Sequence, residues 1–279
     1  MHRAPSEGQP LRFVFAGVAF DVHPAPGLEV EAPTPLRDFA MPYDVAPVSA
    51  HVRCAIQGGA APGAPGRRVD WRWDSASCSI SAASCRATVT RSVPGHYAAS
   101  LSLGDNPWAL SDGLQGVAAA AVCREGGLIL HATGVLFEGR AVLFLGPSGA
   151  GKSTAASLCA GARAFAFDRA AVYSTSDGWY AVGLPGGDPV ALESAPARPH
   201  PVGALLRVVQ RDAVAVRRAG TLDALTLLRE SAQAPGTHED EARCLDAVTR
   251  LASEVPCGFV ETALGHDLGA ALRSISSGS

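Results

Sequence analysis

The sequence predicts an α/β fold with a small N-terminal β-rich domain. Short alternating runs without long helices fill residues 1–108, whereas apolar strand-like runs and helical segments share residues 109–279. In the second part, an apolar strand at 141–145 leads through a glycine-rich loop into small, helix-competent residues. These three observations predict two domains, a β-rich one over 1–108 and an α/β one over 109–279.

Strand-like runs separated by turn-forming residues define the N-terminal domain. Alternating apolar residues with a break at Gly17 predict two short strands between Leu11 and Val22. The Gly/Ala/Pro segment 58–66 has no periodicity and is expected to form a long exposed loop. Further strands are predicted at His51–Ile56, Val69–Trp73, Ala87–Val93 and Tyr97–Leu103.

Helices and strands are mixed in the second domain. Apolar residues recur at helical spacing from Leu114 to Val122, and Gly126-Gly127 supplies a stop. Further helices are predicted at Thr154–Ala160, Leu222–Ser231, His238–Ser253 and Asp267–Arg273. Strands are predicted at Leu128–Ala132, Gly134–Glu138, Ala141–Leu145, Ala164–Asp168, Ala204–Gln210, Ala213–Arg217 and Cys257–Glu261, with a hairpin of Ala171–Ser174 and Trp179–Val182.

The composition excludes several classes of protein. With 47% hydrophobic and 18% charged residues, the 279-residue chain is neither a disordered tail, a collagen-like fibre nor a coiled coil. Its 23 basic residues against 26 acidic ones leave no surplus positive charge for phosphates, so we expect no nucleic-acid partner. The longest apolar run, Val117–Cys123, is far shorter than the roughly 20 residues that cross a bilayer, so we expect a soluble protein with no membrane partner.

Seven scattered cysteines indicate a reducing compartment. They include no CxxC pair, and the residues after Met1 lack the apolar core of a secretory signal. We therefore expect a cytoplasmic protein without a disulfide framework. No ligand spacing in the sequence matches a zinc site.

Lysine occurs once in the chain, at Lys152, and arginine supplies the other 22 of the 23 basic residues. A GC-rich genome, which favours arginine codons, explains the scarcity of lysine. The one lysine lies in the octapeptide GPSGAGKS at 146–153, which satisfies G-x-x-x-x-G-K-[ST] in full. A chance match in a chain of this length is expected on the order of one time in a hundred.

The glycine-rich loop is predicted to bind ATP with Mg²⁺. Its glycines let successive backbone N–H groups point at a triphosphate. Lys152 is a compact charge that reaches the β- and γ-phosphates, and the Ser153 hydroxyl is a ligand for Mg²⁺. A glycine-rich turn between a strand and a helix is the alternative interpretation. The residues predicted to contact the nucleotide are Gly146, Pro147, Ser148, Gly149, Ala150, Gly151, Lys152, Ser153 and Thr154.

Asp168 is the predicted carboxylate of the site. P-loop proteins orient Mg²⁺ or activate a nucleophile with an acidic residue at the end of a nearby strand. Asp168 ends the apolar run Ala164–Asp168, only fifteen positions after Ser153, which predicts an abbreviated crossover. The alternative interpretation of Asp168 is a turn residue before the hairpin.

Other polar residues near the loop have two interpretations each. His131, which follows the apolar run 128–130, is either a catalytic residue or a core histidine whose hydrogen bonds are satisfied. Arg169 either neutralises developing charge or forms a surface ion pair. The loop 184–200 has the length of a functional lid, but nothing in its sequence fixes a role. Its glycine and charged residues are Gly186, Gly187, Asp188, Glu193 and Arg198.

Four stretches together resemble a known family. They are Leu130-His131-Ala132, Gly139-Arg140, the run from Leu143 to Thr154 and Phe167-Asp168-Arg169. They resemble the C-terminal catalytic domain of HPr kinase/phosphorylase, a bacterial serine kinase related in fold to phosphoenolpyruvate carboxykinase. Within that group the chain looks most like the divergent kinase-like proteins that often accompany peptide-modification gene clusters. The resemblance covers about residues 128–265 and is specific over 130–170.

The resemblance implies a P-loop core of the HPr kinase/phosphoenolpyruvate carboxykinase type. It implies ATP-dependent phosphorylation of a serine or threonine hydroxyl in a peptide or protein, and it allows homo-oligomers. His131 matches a histidine that precedes the loop in that family, and Asp168 matches the second of two adjacent aspartates. Phe167 stands at the position of the first. The predicted catalytic residues are Asp168, Lys152 and His131, and the predicted metal ligands are Ser153 and Asp168.

Two other functions compete with the kinase. Because Phe167 leaves one carboxylate as both metal ligand and general base, the chain is alternatively a catalytically degenerate nucleotide-binding module that regulates a partner. The carboxykinase relation also allows phosphoryl transfer to a small metabolite, although no arginine for a substrate carboxylate is assignable. HPr itself is not an expected substrate, because the sequence shows no counterpart of the family's docking region.

Overall fold

The computed structural model of the protein describes residues 10–27, 41–42, 47–58, 70–73, 77–81, 85–104, 109–186, 190, 192–195, 198–233, 238–263 and 265–276. Within these residues the fold is mixed α/β, with two β-sheets and five helices. The chain divides into two compact units, one of Met1–Glu125 with Pro235–Glu241 and one of Gly126–Ala234 with Ala242–Ser279.

The helices and strands are numbered in chain order. The first strands and the first helix are β1 (Leu11–Phe15), β2 (Val18–Pro24), β3 (Ala50–Gly58), β4 (Asp70–Trp73), β5 (Ser77–Ser81), β6 (Cys85–Val93), β7 (His96–Leu103) and α1 (Ala109–Arg124). Next come β8 (Leu128–Phe137), β9 (Arg140–Leu145), α2 (Lys152–Ser157), β10 (Arg163–Ala166), β11 (Arg169–Thr175) and β12 (Gly178–Gly183). The last elements are β13 (His200–Gln210), β14 (Ala215–Arg218), α3 (Thr221–Ser231), α4 (His238–Glu254), β15 (Cys257–Thr262) and α5 (Gly269–Ser276).

A seven-stranded sheet forms the first unit, in the order β1-β2-β3-β7-β6-β5-β4. Strands β3 and β7 alternate buried and exposed residues, so the sheet has one apolar face and one polar face. Helix α1 packs on β6 and β7, and its residues Leu114, Val117 and Val122 are fully buried. The core of this unit therefore lies between the helix and the apolar face of the sheet.

The position of α1 differs from the predicted domain boundary. The boundary at residue 108 assigns this helix to the second domain, whereas the structure groups it with the first sheet. Glu125, next after the helix, accepts a hydrogen bond from the Tyr97 hydroxyl and forms an ion pair with Arg91 at 2.9 Å. Arg124 donates a hydrogen bond to the carbonyl of Ser77 at 3.1 Å. These contacts join residues far apart in the sequence, and they hold the end of α1 against the first sheet. The predicted boundary rests on a local change in the sequence pattern, which does not reveal such contacts.

Strand β8 organises the second sheet. It pairs antiparallel with β9 along one edge, and with β10 and then β11 along the other. Strand β9 also pairs parallel with β13, which pairs parallel with β15, and β14 is antiparallel to β15. Strand β12 pairs with β11 and with the first residues of β13. The sheet is therefore mixed, and β9 lies between β8 and β13.

Helices cover both faces of this second sheet. On one face, Leu143 and Leu145 of β9 join a core with apolar residues of α3 and α4. On the other face, Val142 and Phe144 join apolar residues of α2 and α5. Because β9 is buried on both sides, the loop that follows it emerges at the end of the sheet between the helical layers.

Two predictions for the strands around the loop are wrong. Two separate strands are predicted at Leu128–Ala132 and Gly134–Glu138, but β8 runs unbroken because Thr133 and Gly134 stay paired with β9. The predicted strand 164–168 is too long, because β10 stops at Ala166. The predicted abbreviated crossover is present, since β9 and β10 both pair antiparallel with β8 and are therefore parallel to each other. The backbone partners of β10 lie on the edge of β8 that faces away from β9.

Other predicted elements are confirmed. Strands β11 and β12 form the expected hairpin, with Thr175 opposite Gly178 at its tip. Helices α3 and α4 match the predicted segments to within one residue at each end. Helix α2 begins two residues before the predicted Thr154, and α5 begins two residues after Asp267. Most of the predicted loop 58–66, and part of the loop 184–200, lie outside the described residues.

The helices of the described ranges are short. The longest of them, α4, has 17 residues. Each helix in this part of the chain is too short or too polar to reach across a lipid bilayer.

Candidate functional site

The glycine-rich loop leaves the carboxyl end of β9 and enters α2 at Lys152. A turn in the loop is closed by the backbone N–H of Ala150, which donates to the carbonyl of Pro147 at 3.2 Å. Gly149 and Gly151 have φ angles of 79° and 91°, in the left-handed region that favours glycine. The path of the loop therefore depends on glycine at these two positions.

Lys152 is folded against this loop. Its Nζ donates hydrogen bonds to the carbonyls of Gly146 at 2.9 Å and Pro147 at 3.0 Å. The residue is only 8% exposed. Burial lowers the pKa of Lys152, and the negative charge of Asp168 opposes that effect. The neighbouring residues Ser148, Gly149, Ser153 and Thr154 are exposed.

Asp168 lies at an irregularity between β10 and β11. Both strands pair with β8, one after the other, and Phe167 and Asp168 form the bend between them. The carbonyl of Asp168 accepts a hydrogen bond from the N–H of Ala132 at 2.9 Å. The carbonyl of Phe167 accepts one from the Thr133 hydroxyl at 3.3 Å. Interruptions of this kind re-aim side chains and are frequent beside active sites.

His131 and Arg169 both contact the Asp168 carboxylate. Nε2 of His131 lies 3.2 Å from Oδ1, and Nε of Arg169 lies 3.5 Å from Oδ2. Burial is the main cause that lowers the pKa of His131; the charge of Lys152 lowers it further, whereas Asp168 raises it. His131 is therefore neutral near pH 7, and its Nε2–H donates to Asp168. The Asp168 side chain remains 42% exposed, so a ligand can reach it.

The three predicted catalytic residues meet at one place. The charges of Lys152 and Asp168 both act on the pKa of His131, and Asp168 acts on that of Lys152. Ser153, a predicted metal ligand, is exposed in the first turn of α2 next to Lys152. Among the described residues, no three His, Cys, Asp or Glu side chains form a cluster that holds a metal ion.

Of the loop 184–200, the described residues near this place are those at its start, beside Arg169. Glu193 lies beside β10, where its carbonyl accepts a hydrogen bond from the N–H of Ala164 at 2.8 Å. Gly186 approaches Arg169, since a Cβ at Gly186 would lie 3.4 Å from Nη2 of that arginine. Gly187 and Asp188 lie outside the described residues.

Phe167 is half-buried and packs against the core beneath α2 and α5. A carboxylate in such apolar surroundings is costly, because burial removes it from water without a compensating partner. The bend between β10 and β11 therefore carries one usable carboxylate, that of Asp168.

Sequence reasoning missed an ion pair next to the loop. Nη1 of Arg207 lies 2.6 Å from Oε2 of Glu230. Both residues line a cavity of about 270 Å³ together with His131 and the start of the glycine-rich loop. One signal in the sequence marks Arg207: it is a charged residue inside the apolar run Leu205–Val209, where a buried strand calls for aliphatic side chains.

Comparisons with known proteins give a weak structural likeness. No protein-family model matches the chain, and no curated protein matches it. Among solved structures, the HPr(Ser) kinase/phosphatase from Coxiella burnetii is similar to this chain with a TM-score of 0.30 and 11% sequence identity. The matched region covers 53% of this chain and 87% of that one. A likeness at this level does not place the chain in a family.

Proposed function

We propose that the protein is a P-loop phosphotransferase that uses MgATP to phosphorylate a serine or threonine hydroxyl of a peptide or protein. The main support for the proposal is that Lys152 lies near the His131–Asp168 pair, beside the glycine-rich loop. A buried ammonium and a positioned carboxylate are the two groups that phosphoryl transfer needs, one for the phosphates and one for the acceptor.

The loop residues fit a nucleoside triphosphate. Gly149 and Gly151 have left-handed φ angles, a backbone geometry that can turn successive N–H groups toward phosphate oxygens. Lys152 satisfies its ammonium with the carbonyls of Gly146 and Pro147, and phosphate oxygens would take over as acceptors. The compact lysine head suits this task better than the planar fork of arginine, which the chain uses at every other basic position.

Mg²⁺ would arrive with the nucleotide as part of the substrate. The Ser153 hydroxyl and the Asp168 carboxylate are oxygen ligands of the kind that Mg²⁺ prefers, and both are exposed at this end of the sheet. When bound, the ion neutralises charge that develops on the phosphates.

Asp168 would take the proton of the acceptor hydroxyl. As that proton leaves, the hydroxyl oxygen bonds to the γ-phosphorus, and the bond from that phosphorus to the bridging oxygen of ADP breaks. The products are a phosphate ester and ADP, and Asp168 returns the proton to water. His131 holds the carboxylate in place through Nε2, and Lys152 stabilises the charge on the transferred group.

A nucleotide-binding module with little turnover is the second candidate. The packing of Phe167 into the apolar core favours it, because Asp168 is left as the one carboxylate at the bend. The two candidates differ in ADP release: a kinase forms ADP when an acceptor is present, whereas the module binds MgATP and releases no product.

Substitution of the lysine tests the proposal. Lys152→Ala should abolish transfer of radiolabelled phosphate from ATP to a mixture of serine- and threonine-containing peptides, with the circular dichroism spectrum unchanged. Arg273→Ala is a matched control, because this cation pairs with Glu138 at the opposite end of β9 from the loop. A Lys152→Ala protein that still labels peptides would overturn the proposal.

A further inference from the structure

The cavity at the start of the glycine-rich loop is lined by the loop itself and by parts of β8, β13 and α3. The turn Gly146–Pro147 and His131 form one side, and Arg207 forms another. The last turns of α3 supply the rest through Leu227, Glu230 and Ser231. Its volume is about 270 Å³, which is large enough for an amino-acid side chain with an adjoining peptide group.

The sheet places Arg207 and His131 on opposite sides of the loop's first residue. Strand β9 ends at Leu145, which pairs with Ala132 of β8 and with Arg207 of β13. His131 is next to Ala132, so the loop leaves β9 between the histidine and the arginine. Any group in the cavity therefore lies beside the loop carbonyls that hold Lys152.

The end of α3 is fixed against β8, which brings Glu230 to the cavity. Ala232 forms a β-bridge with Leu130, and the N–H of Gln233 donates to the carbonyl of Ile129 at 2.8 Å. Glu230 lies just before this attachment and forms its 2.6 Å ion pair with Arg207.

The Arg207–Glu230 ion pair contributes little to the stability of the fold. Arg207 and Glu230 have side-chain exposures of 33% and 55%, and ion pairs this exposed add little to stability. An aliphatic residue in place of Arg207 would continue the apolar run of β13. The pair leaves other N–H groups of the guanidinium and a second carboxylate oxygen that can face the cavity.

We propose that this cavity receives the acceptor residue of a peptide, and that the Arg207–Glu230 pair binds the peptide group next to it. Arg207 donates to the peptide carbonyl, and Glu230 accepts from the peptide N–H. The proposal rests on the proposed function and specifies its acceptor. A pair of opposite charges has no net attraction for an anion, so it matches a neutral peptide group better than the carboxylate of a small metabolite.

A charge-swapped variant separates binding from structure. Arg207→Glu with Glu230→Arg keeps an ion pair but reverses the positions of donor and acceptor. The matched control swaps the remote pair Glu138 and Arg273, whose atoms lie 2.7 Å apart. For each protein, MgATP affinity is measured by calorimetry, and phosphate transfer is measured with radiolabelled ATP on a degenerate serine-peptide mixture and on free serine.

The swap at the cavity should lower kcat/KM for the peptides by about tenfold or more, the cost of mismatching two hydrogen bonds that the bound peptide covers from water. Its MgATP affinity should stay within about twofold of wild type, because neither Arg207 nor Glu230 is among the residues predicted to contact the nucleotide. The control swap should change neither quantity, and wild type should prefer peptides to free serine.

Two results would overturn the inference while leaving the proposed phosphotransferase intact. They are equal peptide transfer by the cavity swap and wild type, and labelling of free serine by wild type that is as efficient as labelling of peptides. A wild-type protein that does not bind MgATP, or that binds it without labelling any acceptor, would instead overturn the proposed function, and this inference with it.

Discussion

His131 is neutral near pH 7 because burial and the charge of Lys152 together lower its pKa, against the opposing effect of Asp168. In that state its Nε2–H donates to Asp168 and leaves the carboxylate basic. Once the ring is protonated, a full positive charge pairs with Asp168 and weakens it as a proton acceptor. The residue therefore links activity to pH.

The pH profile should show this link. Because the pKa of His131 in the folded protein lies below 6.5, kcat/KM should be constant above that value and fall as the pH drops through the lowered pKa. His131→Asn keeps a donor for Asp168 but does not titrate, so this acid limb should disappear, with activity at pH 7.5 reduced by about tenfold or less. An unchanged acid limb in the variant would assign the titration to another group.

Single residues also show which parts of the candidate site can be predicted from the sequence. Lys152 and Asp168 are predictable because a local pattern, strand then glycine-rich loop then helix, carries the chemistry. Arg207 is not, since it reaches the site only through the pairing of β13 with β9, about sixty residues apart along the chain.

At the scale of elements, Asp267 ties α5 to the segment after α2. Its Oδ1 accepts from the N–H of Gly269 at 3.0 Å, inside α5, and from the N–H of Ala160 at 2.9 Å. The N–H of Leu268 donates to the carbonyl of Leu158 at 2.8 Å beside them. The two N–H groups that Asp267 accepts from are the main cause that lowers its pKa. This cap holds α5 against the helix that carries Lys152.

Removal of the cap should destabilise the protein in a pH-dependent way. The pKa of Asp267 is lower in the folded chain than its ordinary value of 3.8, so its contribution is complete above that value and is lost as the pH falls through the folded pKa. Asp267→Ala should therefore lower Tm more at pH 7 than at pH 2.5, as measured by circular dichroism. Asp267→Asn, which keeps an acceptor without charge, should fall between the two at pH 7. An equal loss for Asp267→Ala at both pH values would contradict this account.

Elements with a strong local signal are well predicted, and those shaped by pairing are not. The boundaries of α3 and α4 agree to within one residue because each is an amphipathic helix with clear ends. The bend at Phe167–Asp168 has no signature of its own, since it arises where β10 and β11 meet on the edge of β8. The carboxylate was therefore predictable, but the turn that aims it was not.

At the scale of the molecule, the sequence predicts two units and an α/β class, but not the mixed sheet. The antiparallel pairing of β8 with β9 and β10 depends on which edges are available after folding. Long-range contacts of Glu125 likewise decide that α1 packs on the first sheet. These are properties of the whole chain and are absent from any local window.

A further whole-chain property, the presence of one lysine, gives the most direct test of nucleotide binding at this loop. An amine-reactive reagent has one ε-amine to modify, and the α-amino group serves as an internal reference in the same mass spectrum. MgATP at ten times its Kd should slow modification of Lys152 about tenfold by mass action and leave the reference unchanged. A rate at Lys152 that is the same with and without MgATP would contradict the central claim that this lysine holds the phosphates.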